Sequence, residues 1–325
     1  MTHRALFVTA HGDRSVLAVQ PHTPRDPGPG EAAVSVQACG VNFIDVYQRE
    51  GRYPNTTPFV LGSEGAGVVA AVGPGVRDVA VGDRVAWAMH LGSAASTAVM
   101  PVAGLVPVPD GVSGETAAAA LLQGMTAHYL VTDTYAVRPG TRALVHAAAG
   151  GVGQLLVQLV TARGGRVVAT AGSPAKCEIA RERGADVAID YSVVDDLARA
   201  VRAATDGEGV DVVYDGVGAS TFEASLASLR PRGLLALYGA ASGPVPPFDL
   251  QRLNVLGSLF VTRPSLAHYI ATREELLARA GDVLTAVAEG SLEVEVGGRY
   301  PLEEAATAYE ALESRSTTGK LILVP

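Results

Sequence analysis

The residues best placed to do chemistry lie in Ala143-Leu-Val-His-Ala-Ala-Ala-Gly-Gly-Val-Gly-Gln-Leu-Leu-Val-Gln-Leu-Val160. There an apolar run ends in tiny residues and a long apolar-periodic segment follows. A strand, a tight turn and a helix start in that order can hold a dinucleotide pyrophosphate. Unpaired N–H groups at the helix start point at the anion, and the helix dipole favours negative charge there. Glycine suits the turn because a Cβ would keep the backbone from closing on the phosphates. The fingerprint positions read Ala148-Ala149-Gly150-Gly151-Val152-Gly153, with alanine at the first glycine of Gly-x-Gly-x-x-Gly.

The next strand end discriminates between dinucleotides. An NAD site places an acid about 20 residues past the first glycine, on the ribose 2′-hydroxyl. That position falls near Ala171, and Thr170-Ala-Gly-Ser-Pro-Ala-Lys176 carries no acid. A 2′-phosphate would meet no repulsion there, and Ser173 and Lys176 supply a donor and a positive charge, which favours NADPH. Lys176 is one of only two lysines, the other being Lys320. It stands early in a helix, where the dipole disfavours a cation, and a phosphate partner offsets that cost. Tyr191, at the end of the third strand, would flank the adenosine side.

Such a site needs a parallel sheet to position it. Strands are expected at 166–171, 185–190, 210–215 and 233–238. Helices are expected over 174–183, around 195–204 and around 221–229. Pro174 opens the first helix and Gly184 stops it. Strands alternating with helices imply an α/β fold with a doubly wound parallel sheet, whose ligands lie beyond the strand C-termini. Gly151, Gly172, Tyr191, residues 215–218 and Gly239 fall at those ends.

The first 122 residues have a different grammar, β-rich and full of turns. Residues 34–39 alternate, 62–76 are dense in glycine, and 81–87 read as a turn into a strand. A helix over 115–131 bridges into the dinucleotide domain. After Leu253 the alternation stops. Helices over 272–290 and 302–314, and strands over 291–296 and 321–324, are expected to return to the first domain and complete it. The expected division is 1–122, 123–258 and 259–325.

A chain of 325 residues suits two domains with their own cores. A hydrophobic content of 48% excludes a disordered protein, and a net charge of -8 gives nucleic-acid binding no electrostatic support. No apolar run is long enough to span a bilayer, and no basic stretch favours a membrane surface. The start, Met1-Thr-His-Arg-Ala-Leu-Phe-Val, reads as a first strand rather than a leader, so a cytoplasmic location is expected. Cys39 and Cys177 fall in different expected domains, so no disulfide is expected.

Four segments together resemble the zinc-free quinone oxidoreductases of the medium-chain dehydrogenase/reductase superfamily. They are Ala38-Cys-Gly-Val-Asn-Phe-Ile-Asp-Val-Tyr47 followed by Gly51-Arg-Tyr-Pro54, Leu61-Gly-Ser-Glu-Gly-Ala-Gly-Val68, His146-Ala-Ala-Ala-Gly-Gly-Val-Gly153, and Gly257-Ser-Leu-Phe-Val-Thr-Arg-Pro-Ser265. The ending Tyr300-Pro-Leu and Gly319-Lys-Leu also matches. The resemblance implies a GroES-like catalytic domain, a Rossmann-like domain, a cleft between them, NADPH and a homodimer. Zinc-dependent relatives have cysteine where this chain has Asn42 and histidine where it has Ser63. Thiolate or imidazole ligands are therefore missing, and no metal is expected.

Without a Lewis acid, hydride must go to an acceptor that is already electrophilic, a quinone or an α,β-unsaturated carbonyl. By resemblance, Asn42, Asp45 and Tyr47 line the nicotinamide end, with Tyr47 or water donating to the substrate oxygen and Tyr53 in the acceptor pocket. Thr126, Phe260, Thr262 and Arg263 are placed near the cofactor. Where the family carries two aromatic rings this chain has Ala94 and Thr97, which implies a larger pocket and a bulkier acceptor. Quinone reduction leads, enoyl reduction of a bulky conjugated carbonyl follows, and a non-catalytic NADPH-binding protein is the reading from a different class.

Overall fold

The computed structural model describes residues 3–53 and 55–325, so Met1, Thr2 and Pro54 lie outside the described residues. The chain forms two compact units, Met1–Met125 with Ile270–Pro325, and Thr126–Tyr269. The return to the first unit therefore begins at residue 270 rather than 259. The reason is a strand the sequence reading missed: Phe260–Thr262 pairs in parallel with Leu229–Leu237 and stays in the second unit. The other boundary falls within the Gly114–Tyr129 helix, which ends in a π-turn at Leu130–Thr134.

The second unit is built on a six-stranded parallel sheet. Its order is Val187–Asp190, Arg166–Ala171, Arg142–Val145, Val210–Asp215, Leu229–Leu237, Phe260–Thr262. In chain order that is 3-2-1-4-5-6, the dinucleotide-binding arrangement, with its switch point between Arg142–Val145 and Val210–Asp215. These strands read as apolar runs because both faces are covered: Ala143, Leu144, Val145, Val212, Val213 and Tyr214 are all fully buried. Helices Gly151–Ala162, Pro174–Glu182, Leu197–Ala203 and Phe222–Ser228 provide crossovers. Leu226, Leu229 and Phe222 pack with Leu144, Val213 and Leu235 in one core.

The first unit holds a seven-stranded sheet around Glu31–Gly40. That strand pairs with Glu64–Val72, Thr97–Pro101 and Lys320–Val324, all antiparallel. A three-stranded sheet joins Leu17–Pro21, Arg4–Val8 and Phe59–Val60. The strand expected at 291–296 instead runs Val296–Pro301, in parallel with Lys320–Val324. Gly297 and Gly298 do not end this strand; they lie inside it. A Cβ on Gly297 would stand 1.9 Å from the Thr318 carbonyl oxygen, so glycine permits the close approach, and the register shifts between Val296 and Gly298.

Gly153 is fixed by a comparable contact. A Cβ there would meet the Ala147 carbonyl oxygen at 2.3 Å and the Ala148 Cα at 2.7 Å, both backbone atoms. Gly153→Ala is therefore expected to lower stability by about 1–3 kcal/mol, as overpacking of an unyielding site does. Urea unfolding tests this, and an unchanged midpoint would refute it.

Candidate active site

In the dinucleotide-binding unit the strand Arg142–Val145 runs into His146 and a turn closed by a hydrogen bond from Gly150 N to Ala147 O, 2.9 Å. The left-handed residue of this turn is Ala147, at φ +50°, and not a glycine. Ala148, at the missing first glycine, is fully buried and donates its N–H to Thr170 O at 3.0 Å. The Gly151–Ala162 helix then starts with Gly150 as N-cap, no side-chain cap and no acid in its first turn. Its orphan N–H groups and dipole are thus left to an anion. Buried Gln154 supports the turn: its Nε2 donates to Ala149 O at 3.0 Å, and its Oε1 accepts from Arg183 Nε at 2.8 Å.

Of the residues expected on the adenosine side, Tyr191 lies against Gly172 and Lys176 against Ser173. A Cβ on Gly172 would stand 2.6 Å from the Tyr191 hydroxyl, so that ring covers Gly172. Ser173 caps the Pro174–Glu182 helix by accepting from Lys176 N at 3.3 Å. Partial burial lowers the Lys176 pKa from its ordinary value. Gly239 lies against the next loop, where its Cβ would meet Gly216 O at 2.3 Å. Thr126 is buried on its helix, while Phe260, Thr262 and Arg263 sit on or just after the outer strand, with Phe260 60% exposed. A buried chain that sequence reasoning missed links His146 to Thr170, Ser225 and Asp215. Burial lowers the His146 pKa, and Asp215 opposes it. The serine stands between histidine and carboxylate, which is not the order of a nucleophilic triad.

The first unit gathers Asn42, Asp45 and Glu64 around a second missed residue, Lys320. Lys320 Nζ donates to Asn42 Oδ1 and to Glu64 Oε2, each at 2.6 Å. Asn42 Nδ2 donates to Glu64 Oε2 at 2.9 Å and to Gly40 O at 3.2 Å. Both amide hydrogens are thereby engaged, so Asn42 offers a substrate only acceptor capacity on Oδ1. Glu64 Oε1 also accepts from Leu122 N at 2.6 Å. A lysine within the apolar run Lys320-Leu-Ile-Leu-Val324 was the available signal, since a buried cation in a strand needs a counter-charge.

Asp45 opens the Phe43–Arg49 helix, accepting from Asn42 N at 2.9 Å, Ser63 N at 3.1 Å and Tyr309 Oη at 3.2 Å. Ser63, in place of a histidine, donates its hydroxyl to Gln48 Oε1 at 3.1 Å. Tyr47 is buried between neighbours: its ring lies 6.2 Å from those of Phe43 and Tyr53, and the Arg52 guanidinium stacks over it at 5.2 Å. Tyr53 is 45% exposed. Among the described residues, no three His, Cys, Asp or Glu side chains are grouped to hold a metal ion.

The expected enlargement is corrected at Ala94. Ala94 is fully buried in a core with Leu6, Cys39 and Leu61, so packing rather than open space replaces the ring. Thr97 bonds His3 and lines a cavity of about 310 Å3 with His22, Arg25 and Met100. Ala94 therefore gives no support to a larger pocket, while Thr97 does border open space.

Comparison with known proteins agrees with this geometry. A family model described as "Alcohol dehydrogenase GroES-like domain" matches residues 28–139, and one described as "Zinc-binding dehydrogenase" matches 151–277. The chain is 45% identical to the quinone oxidoreductase of Pseudomonas aeruginosa, over 100% of both chains. The Escherichia coli quinone oxidoreductase solved with NADPH superposes with a TM-score of 0.96 at 41% identity, covering 99% of this chain and 100% of that one. A 2-haloacrylate reductase from Burkholderia is 42% identical over 92% of each chain. The chain belongs to the zinc-independent quinone oxidoreductases of the medium-chain dehydrogenase/reductase superfamily. Its two units are the GroES-like and Rossmann-like domains of that family.

Burial raises the Asp45 pKa to about 6, against the hydrogen bonds from Ser63 and Asn42 and the Lys320 charge, which lower it. The folded state holds this proton more tightly than the unfolded chain does. Its contribution is therefore complete below about pH 4 and is lost as pH rises through about 6. Relative to Asp45→Asn, wild-type stability is expected to fall by about 2 kcal/mol between pH 4 and pH 7. Urea midpoints for both proteins at both pH values measure this; a pH-independent difference would contradict it.

Proposed function

We propose that this protein reduces quinones with NADPH by hydride transfer, without a metal ion. The carrying observation is the uncapped, acid-free helix start at Gly151, at the switch point of a 3-2-1-4-5-6 sheet. The family supports it, since the relatives are quinone oxidoreductases and one is solved with NADPH. NADPH, when bound, supplies a hydride. Gly150, Gly151, Val152 and Gly153 receive the pyrophosphate. Gly172, Ser173, Lys176 and Tyr191 take the adenosine and its 2′-phosphate, and Gly239, Thr126, Phe260, Thr262 and Arg263 complete the cofactor contacts. Asn42, Asp45 and Tyr47 serve the nicotinamide end, and Tyr53 serves the acceptor. Because the Asn42 amide hydrogens are engaged, the proton reaching the reduced acceptor comes from Tyr47 or water.

A second reading, reduction of a conjugated double bond, is favoured by the likeness to the 2-haloacrylate reductase. Steady NADPH oxidation with 1,4-naphthoquinone, giving the quinol, supports quinone reduction. Turnover of enones alone would favour the second reading. NADPH binding without turnover of either would leave a non-catalytic binding protein.

We further infer a homodimer, formed at the outer strand Phe260–Thr262, where Phe260 and Val261 are 60% and 38% exposed and the strand edge is available for pairing. A cytoplasmic location fits the two free, buried thiols, Cys39 and Cys177. No helix among the described residues is long and apolar enough to cross a membrane. The net charge of -8 disfavours nucleic acid, leaving a small-molecule acceptor as partner.

Lys176→Ala is expected to weaken NADPH by about tenfold or more, as loss of a charged hydrogen bond does, and to leave NADH nearly unchanged. KM values for both cofactors measure this, and equal losses would remove Lys176 from the 2′-phosphate site.

A further inference from the structure

The cofactor-binding unit contains a buried polar chain for which the functional reading gives no role. Thr170, His146, Ser225 and Asp215 are each no more than 1% exposed. Burial favours a neutral His146 ring, and for a neutral ring the partners fix where each proton sits. A carboxylate only accepts, so Ser225 donates its single hydrogen to Asp215 Oδ2 at 2.7 Å. Ser225 Oγ then accepts from His146 Nε2 at 3.0 Å. A neutral ring with its proton on Nε2 leaves Nδ1 to accept from Thr170 Oγ1 at 2.9 Å. Asp215 is also filled: Oδ2 accepts from Thr221 Oγ1 at 2.7 Å, and Oδ1 accepts from Val217 N at 2.8 Å and Gly218 N at 3.0 Å.

The chain crosses the C-terminal ends of three adjacent strands, Arg166–Ala171, Arg142–Val145 and Val210–Asp215, and so spans the switch point. Thr170 is gripped twice: its carbonyl accepts from Ala148 N at 3.0 Å, and its hydroxyl donates to His146. At the far end Asp215 shapes the 215–218 loop, whose Gly216 lies against Gly239 and the Tyr238 ring. Apolar side chains could fill such a space at no greater cost. A fully satisfied polar chain instead selects one arrangement of the strand ends.

We propose that His146 is a positioning residue for NADPH: as a neutral, Nε2-protonated imidazole it braces the turn at 147–150 and the loop at 215–218 into one cradle before the cofactor arrives. The proposal rests on the reading of that turn as the NADPH site. Preorganisation of this kind strengthens binding by removing an ordering cost, so the effect falls on cofactor affinity and not on hydride transfer.

The test uses the full chain. His146→Leu, which carries no hydrogen bond, is expected to raise the NADPH dissociation constant by about tenfold. Its kcat at saturating NADPH is expected to stay close to wild type. His146→Gln, whose amide can donate to Ser225, is expected to recover most of the affinity. In the wild-type protein, nitrogen NMR is expected to place the His146 proton on Nε2. A proton on Nδ1 overturns the proposal whether or not the variants fold. An unchanged dissociation constant in folded His146→Leu overturns it as well, as does a fall in kcat with affinity intact. Wild-type protein that binds no NADPH would overturn the functional reading and the proposal with it, and that result is seen before any variant is compared.

Discussion

The Glu64 carboxylate and the Lys320 ammonium, both enclosed and 2.6 Å apart, impose the strictest condition on the GroES-like unit. Each buried ion forfeits several kcal/mol of hydration, and attraction offsets this only when the remaining hydrogen-bonding capacity is filled. Here the partners come from four places in the sequence: Asn42 before a short helix, Glu64 at a strand start, Leu122 in the bridging helix and Lys320 in the last strand. None of these elements can withdraw without stranding a charge. The same condition fixes Gly40, where a Cβ would stand 2.3 Å from Glu64 Oε2.

The Rossmann-like unit treats its polar groups in the opposite way at one point. Its interior chain from Thr170 to Asp215 is satisfied internally, yet the N-terminus of the Gly151–Ala162 helix has no side-chain cap. A helix start without a cap forgoes roughly 0.5–2 kcal/mol of stability. An arriving phosphate recovers that energy as binding. The tight turn that makes this geometry possible depends on Gly153 at the helix start and on a left-handed Ala147 before it.

Local patterns made much of this legible in the sequence. The alternation of strands and helices, the turn at 148–153 and the acid-free second strand end are properties of neighbouring residues, and periodicity carries them. The Phe260–Thr262 strand was missed because three residues are too few to show a period. The strand at 291–296 was displaced because glycines usually punctuate strands, whereas Gly297 permits a close backbone approach. Lys320 and Glu64 are 256 positions apart, and His146 and Ser225 are 79 apart. Only the tertiary fold brings such pairs together, although the oddity of a lysine in an apolar strand and of a histidine at a strand end was visible. Ala94 misled for the converse reason, since residue type does not reveal whether a small side chain borders a pocket or a core.

The distribution of positive charge narrows the chemistry. Among the described residues, two cations are enclosed in the GroES-like unit, Lys320 and Arg49. Lys320 is engaged by Glu64 and Asn42, and Arg49 by Glu313 and the Gly12 carbonyl. Neither is presented to a substrate oxygen as a bare charge, and the Asn42 amide has no hydrogen left to donate. A simple ketone depends on such a charge or donor to stabilise the oxyanion that forms as hydride arrives. A quinone, or a carbonyl conjugated to a double bond, spreads that charge through its own π-system and requires less from the protein. With Lys320, Arg49 and Asn42 occupied, Tyr47 or water is the donor our proposal leaves, and an acceptor that brings its own electron deficiency makes the least demand on it.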